Sequence, residues 1–251
     1  MINTGASIIR VIDFHSHILP FMDDGSKSTE ESIEMLKLLR SQGVDAVVAT
    51  PHFYAKREDP ESFLRRRSES MQILRSAIEF SGIDRQEIPE IYVGAEVAYF
   101  NGMSKFKGMA ELCVEGTNVM LLEMPFCKWS DAVVNEVCDM QYEHGVQIVL
   151  AHIDRYARYT DNIKLLKLRT HRVISQLNAN AFLSFFSLRS TLKKLRGNMI
   201  HVLGSDCHNM YERPSYMDEA LEEICSHGYE QRLETMMKKA GDLLEGATPL
   251  L

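Results

Sequence analysis

A chain of 251 residues, 45% hydrophobic and 25% charged, with 14 glycines and 7 prolines, can bury a sizeable core, which excludes disordered, collagen-like and low-complexity proteins. No uninterrupted apolar run reaches about 18 residues, so neither a membrane span nor stable membrane insertion is expected, and a net charge of −7 speaks against bulk binding of nucleic acid or an anionic membrane. The five cysteines, Cys113, Cys127, Cys138, Cys207 and Cys225, form no CxxC and suit a reduced cytoplasmic chain without a signal peptide.

Residues 1–7 read as a flexible leader. The first apolar run, 7–15, ends at His15. Ser28 and Glu31 then form a capping box for a helix with Ile33, Leu36 and Leu39 on one face and Gly43 as its stop. A second run, 44–52, ends at His52. Asp59-Pro60 opens the next helix, which carries Leu64, Met71, Leu74 and Ile78 on its face and stops at Gly82. Its basic run Arg65-Arg66-Arg67 reads as a solvated face. Runs follow at 90–96, ending in Glu96, and at 118–124. Ser130 opens a third helix with Val133, Val137 and Met140, closed by Gly145. The remaining strand runs are 146–152, 180–186 and 199–206. Helical patterns cover 160–176, 188–196 and 214–240, the last as two helices broken near Gly228. Near-continuous apolar strands are the mark of a parallel sheet. Seven βα-type units without a linker predict an α/β chain forming one barrel-like domain over 1–251.

In parallel β/α folds, the carboxyl ends of the strands converge on one site. Here those ends carry His15 and His17, His52, Glu96, His152, and Asp206 with His208, and Asp24 follows the first run in its loop. A single histidine after a strand is most simply structural. Together these eight side chains outnumber the three ligands that one catalytic zinc ordinarily takes. The surplus points to two or three metal ions bridged by a carboxylate such as Glu96. Imidazole and carboxylate without thiolate suit manganese, iron or zinc. His144, His171, His201 and His227 fall on helices or mid-strand and read as structural.

At these residues the chain resembles a known family. DFHSH, TPH, GAE, AHIDR and SDCHN are similar to the metal motifs of the PHP (polymerase and histidinol phosphatase) superfamily. The longer strings DFHSHILPFMDDGSKSTEES, GAEVAY, LLEMP, AHIDRY and GSDCHNMYERP resemble, more narrowly, the CpsB/CapC-type bacterial protein-tyrosine phosphatases, over about residues 11–245. The resemblance implies a distorted (β/α)7 TIM-like barrel with up to three metal ions, most often Mn2+. It implies hydrolysis of phosphotyrosine on a bacterial capsule or exopolysaccharide tyrosine kinase and its partners. By motif, the implied ligands are His15, His17, Asp24, His52, Glu96, His152, Asp206 and His208, and the implied phosphate-binding side chains are Arg155 and Arg213. Guanidinium groups suit bidentate phosphate recognition. Asp206, Arg155 and Arg213 are the expected catalytic side chains, with Asp206 or a histidine released from metal as proton donor to the leaving oxygen. Glu123 matches a family strand position and reads as a supporting residue. The segment Gln176–Asn180 departs from the family's strand-6 end, and Lys239–Asp242 lacks the family's Asn-Pro helix start.

Cys207 and Arg213 also stand as C-x5-R, the spacing of cysteine-dependent tyrosine phosphatases. That chemistry needs backbone N–H groups cradling the phosphate and a thiol of lowered pKa. The glycine-free segment between them, with Asp206 beside the thiol, argues against both. Three other readings stay open: another PHP phosphoesterase such as a histidinol-phosphate phosphatase, a TatD-like metal-dependent DNase, and a non-enzymatic partner of a membrane kinase.

Overall fold

The computed structural model describes residues 2–3 and 8–249 by backbone, and side chains from Arg10 to Pro249. The expected leader, 1–7, falls outside these except for β1 (Ile2–Asn3), which pairs antiparallel with β2 (Ile8–Ile9). Every other ladder is parallel. One sheet runs β3 (Ile12–Ser16), β4 (Ala46–Ala49), β6 (Glu90–Val93). The second runs β5 (His52–Phe53), β7 (Glu96–Ala98), β8 (Val119–Glu123), β9 (Gln147–Leu150), β10 (Ile174–Asn178), β11 (Val202–Gly204). Because β5 prolongs β4 and β7 prolongs β6, the two sheets form one curled wall. Beyond β11 the wall meets β3 again: the Asp206 N–H donates to the His15 carbonyl at 2.8 Å and the His17 N–H to the Cys207 carbonyl at 2.9 Å. The result is the distorted barrel of seven staves that the resemblance implied.

The interrupted staves differ from the uniform runs expected. Chain 44–52 breaks at Thr50-Pro51 and chain 90–96 at Gly94-Ala95, so His52 and Glu96 open a second half-strand rather than end the first. They are direct partners in the β5–β7 ladder. The Arg67 guanidinium holds the second break, donating to the Gly94 carbonyl at 2.8 Å and to Glu115 at 2.7 Å. Arg67 is therefore buried, unlike the solvated Arg65–Arg67 face expected.

Among the described residues seven α-helices cover the outside: α1 (Thr29–Ser41), α2 (Pro60–Ser81), α3 (Asp131–His144), α4 (Asn162–Thr170), α5 (Phe185–Arg196), α6 (Met217–Ser226) and α7 (Glu230–Leu243). Ser28 caps α1 by accepting from the Glu31 N–H at 3.1 Å, while Glu31 reaches past it to the Lys27 N–H at 2.8 Å. Asp59 caps α2, with proline in its first turn. Gly228, at φ 76°, separates α6 from α7 as the sequence indicated. Among the described residues no helix is long and apolar enough to cross a membrane.

One strand lies elsewhere than expected. The run 180–186 is a 3-10 turn, Ala179–Phe182, followed by the start of α5, where Phe185 and Phe186 stand 88% and 96% exposed. The sixth stave is β10, and the helix expected to reach 176 stops at Thr170. β10 escapes an apolar pattern because Gln176 and Asn178, both fully buried, face polar neighbours.

The barrel interior is layered. Ile12, Phe14, Val48, Leu121, Val149 and Val202 fill its lower part, with Leu243 and Leu244 beneath. Above them β3 slips register between Asp13 and Ser16. His15, within the slip, and His17, just beyond it, enter a polar upper layer.

Candidate metal centre

The seam between β3 and β11 sets the first two histidines. Asp13, fully buried, accepts from the Ser205 N–H at 2.7 Å, the Ser205 hydroxyl at 2.6 Å and the His15 N–H at 3.2 Å. Burial pushes its carboxyl up to about 6 even against those bonds. Gly204 is required at this seam: a Cβ there would lie 2.6 Å from the His15 Cβ. His15 is then oriented by Gln176, whose Oε1 lies 3.2 Å from its Nδ1. His17 is oriented by Asp23, whose Oδ2 lies 2.8 Å from its Nδ1. Both rings thus turn their Nε2 atoms inward, 3.1 Å apart. A carboxylate or amide behind the outer nitrogen of an imidazole is the usual support of a metal-ligating histidine.

Glu96 stands where the inward nitrogens meet. Its Oε2 lies 3.2 Å from His15 Nε2, 3.3 Å from His17 Nε2 and 2.9 Å from His52 Nδ1. Its Oε1 lies 2.8 Å from His152 Nε2. Asp206 Oδ1 lies 3.6 and 3.5 Å from the same His15 and His17 atoms. Asp24 Oδ1 lies 3.4 Å from His52 Nε2 and 3.5 Å from His208 Nε2. All eight side chains expected as ligands therefore converge. Among the described residues three groups have atoms close enough together to hold a cation: His15, His17 and Glu96; His17, Asp24, His52 and His208; and His52, Glu96 and Glu123.

The donor chemistry fits cations. Glu96 Oε2, His52 Nδ1, His152 Nδ1 and His208 Nε2 are buried without a hydrogen bond of ordinary geometry, although Glu96 Oε2 and His52 Nδ1 lie 2.9 Å apart. Buried polar atoms that crowd together without well-formed hydrogen bonds are costly unless something else satisfies them. Charge gives the same answer. Burial alone would lower His17, yet Asp23 and Glu96 lift it to about 10. Burial likewise opposes His152, which Glu123 and Glu96 lift to about 9. His208, its ring 3.9 Å from that of His17, is held down to about 3 by burial and by the charge on His17. The carboxylates outweigh the protein's own cations, and protons on the histidines make up part of the deficit.

Arg155 and Arg213 both reach Asp206. Arg155 pairs with Oδ2, and Arg213 Nη2 lies 3.1 Å from each oxygen. Asn178 Nδ2 donates to Asp206 as well, at 2.9 Å, and Gln176 donates to Asn178 at 2.9 Å. Gln176 and Asn178 thereby link His15 to Asp206. The backbone at His152 (φ 29°) and Asp206 (φ 53°) is left-handed without glycine, a strain typical of functional positions.

Three features were missed or undervalued by sequence reasoning. Glu123 reaches His152 Nε2 at 3.5 Å and belongs to a cation-sized group, whereas the sequence suggested a supporting role. Asp23, beside Asp24 in one dipeptide, orients His17. Gln176 and Asn178 gave only the signal of polar residues spaced two apart.

The C-x5-R spacing fails structurally. Asn209 Oδ1 accepts from the N–H groups of Tyr211, Glu212 and Arg213 at 3.0, 2.7 and 3.1 Å. The His208 N–H is spent on the Arg213 carbonyl at 2.9 Å. No cradle of free N–H groups remains in this loop. Burial and the neighbouring Asp13 push the Cys207 thiol up, away from the thiolate. The four remaining histidines, read from the sequence as structural, have hydrogen-bond partners that the sequence did not name: His144 with the Ser104 carbonyl, His171 with that of Lys167, His227 with that of Glu223, and His201 with the Ser175 N–H.

Residues 11–245 match the family model described as capsular polysaccharide synthesis, CpsB/CapC. The chain is 29% identical to CapC of Staphylococcus aureus over 238 residues, covering 91% of this chain and 89% of that one. It is 27% identical over 242 residues to the tyrosine-protein phosphatase YwqE of Bacillus subtilis (strain 168), covering 93% and 91%. Among solved structures it matches one from the study of YwqE and of CpsB from Streptococcus pneumoniae, described as unique metal-dependent tyrosine phosphatases. The TM-score is 0.80 at 24% identity over 96% of each chain, which shows a common fold.

Proposed function

The chain belongs to the CpsB/CapC capsular polysaccharide synthesis family, and from that premise we propose that it is a metal-dependent protein-tyrosine phosphatase. Its substrate in this reading is phosphotyrosine on a bacterial capsule or exopolysaccharide tyrosine kinase and other phosphotyrosine proteins, and its place is the cytoplasm. The names of YwqE and the CpsB relatives, tyrosine-protein phosphatases, support this. One observation carries it: the Nε2 atoms of His15 and His17 each lie within 3.6 Å of a carboxylate oxygen of Glu96 and of Asp206, and Asp206 is in turn paired with Arg155 and Arg213.

We assign the metal ligands as His15, His17, Asp24, His52, Glu96, His152, Asp206 and His208, with Glu123 added, for two or three ions. Manganese suits this nitrogen and oxygen set, and iron or zinc share it. When bound, such ions supply positive charge for the phosphoryl oxygens and a water of lowered pKa. Arg155 and Arg213 offer planar forks to the non-bridging oxygens. By accepting from the outer nitrogens, Asp23 and Gln176 would leave the inward nitrogens of His17 and His15 to face a cation, whose binding displaces the proton that the cation-free cluster keeps on His17. Burial alone would raise Asp206, but His15, Arg155 and His17 outweigh it and hold the carboxylate well below the usual range. Asp206 is therefore a poor proton donor and a good cation ligand. A tyrosine leaves as a phenolate of pKa about 10, which demands less of a proton donor than a serine alkoxide would.

Metal analysis paired with hydrolysis assays tests the reading. The expected result is two or three equivalents of metal and chelator-sensitive release of phosphate from phosphotyrosine peptides. Faster turnover of histidinol phosphate, or cleavage of DNA, would replace this assignment. A metal-loaded chain with no activity would make it a binding partner of the kinase.

A further inference from the structure

A cavity of about 510 Å³ opens beside the metal centre, and Asp23, Asp24, His52, Tyr54, Arg57 and Arg66 are among its lining residues. Its charges are mostly spent. Asp23 faces His17 at 2.8 Å, and Asp24 faces His52 and His208 at 3.4 and 3.5 Å. Arg66 grips Glu58 with two hydrogen bonds, 3.1 and 2.8 Å long. Arg57 is the exception. Among the described residues it has no carboxylate partner. Its guanidinium instead lies over the Tyr54 ring, 4.3 Å from the centroid. The turn below is tied down by the Arg57 N–H, which donates to the Tyr54 carbonyl at 2.8 Å. The Tyr54 ring in turn lies 5.2 Å from that of His52.

This stack fixes an unspent cation near the reaction centre. The two spacings put the guanidinium within about 10 Å of the His52 ring, the span of two to three extended residues at about 3.3 Å each. A guanidinium held on an aromatic face is preorganised, so little freedom is lost when it meets an anion. Arg155 reaches the site through Asp206, and Arg213 spans Asp206 and Asp24, its Nη1 3.5 Å from Asp24 Oδ2.

We propose that Arg57, seated on Tyr54, forms a subsite for a second anionic group of the substrate, located two or three residues from the phosphotyrosine. The inference rests on the phosphatase reading and narrows its substrate class to phosphotyrosine in an acidic or multiply phosphorylated segment. An acidic side chain and a second phosphotyrosine both supply the required anion.

The test uses the full, manganese-loaded chain and a matched set of phosphotyrosine peptides. These carry Ala, Glu, Lys or a second phosphotyrosine two residues to either side. The wild-type kcat/KM should favour the Glu or doubly phosphorylated peptide over the Ala peptide by about five- to tenfold, mainly through KM. Which of the two gains more identifies the source of the anion. Arg57→Gln should bring that ratio to about one, and Arg57→Glu should turn the preference toward the Lys peptide. Hydrolysis without preference in the wild type, or a preference unchanged in Arg57→Gln, would overturn this inference and leave the phosphatase reading standing. No hydrolysis of any peptide would overturn both.

Discussion

His17 and His201 are enclosed imidazoles at opposite ends of one barrel, and their surroundings drive them in opposite directions. At the upper end, Asp23 and Glu96 overcome burial and raise His17 to about 10. At the lower end, burial with Arg232, Arg169 and Lys239 lowers His201 to about 4. His201 Nδ1 accepts the Ser175 N–H at 3.1 Å, which only the unprotonated nitrogen can do. The upper end gathers more carboxylates than it can neutralise, whereas the lower end gathers cations around a neutral ring. Divalent ions belong in the first environment and are excluded from the second. The acidic net charge of −7 is therefore compatible with an anionic substrate, because the region that meets it is built to take up cations.

The largest effect should come from emptying the upper end. Chelation, or Glu96→Gln, should lower phosphotyrosine hydrolysis by about a thousandfold or more, since water activation and phosphoryl charge stabilisation would both be lost. Full activity in Glu96→Gln would break the contrast between the two ends. Next comes the support behind a ligand. Asp23→Asn keeps the shape but removes the charge that orients and polarises His17. Metal affinity, read by titration of the metal-free chain, should fall about 10- to 100-fold. An unchanged affinity would mean that Asp23 only shapes the loop. Cys207→Ser should change turnover by less than about threefold, because no step of the proposed chemistry uses the buried thiol. A collapse of activity at undiminished metal content would reopen the thiolate mechanism.

The upper end was the more legible in sequence, for a physical reason. Ligands must sit where staves deliver them, so His15, His52, Glu96, His152 and Asp206 fall close to the ends of apolar runs. Their supports obey no such rule. Gln176 and Asn178 replace apolar residues inside β10, which erased the strand signal and drew attention to Asn180–Phe186 instead. The breaks at Thr50-Pro51 and Gly94-Ala95 were hidden because both halves of each stave are apolar. Arg67 looked like part of a solvated run because only the fold reveals that its partner is a broken strand's carbonyl. Local periodicity reports which face is buried, but not which polar groups the buried side must satisfy.

The smallest predicted effect lies at the lower end and concerns stability. His201 has a folded pKa of about 4 and an unfolded value near 6.5. Between those limits the unfolded chain binds more protons, so acidification favours unfolding. The His201 contribution is fully present above about pH 6.5 and is lost as pH falls toward 4. Partial solvation of the ring reduces its size to about 1 kcal/mol. In His201→Gln the amide oxygen can still accept from Ser175 but does not titrate in this range. Urea unfolding of both chains, metal-free, at pH 7 and pH 5 should show the wild type losing more stability than the variant. The upper histidines titrate in both chains and cancel in the difference, so equal losses would remove His201 as the acid-sensitive group of the lower end.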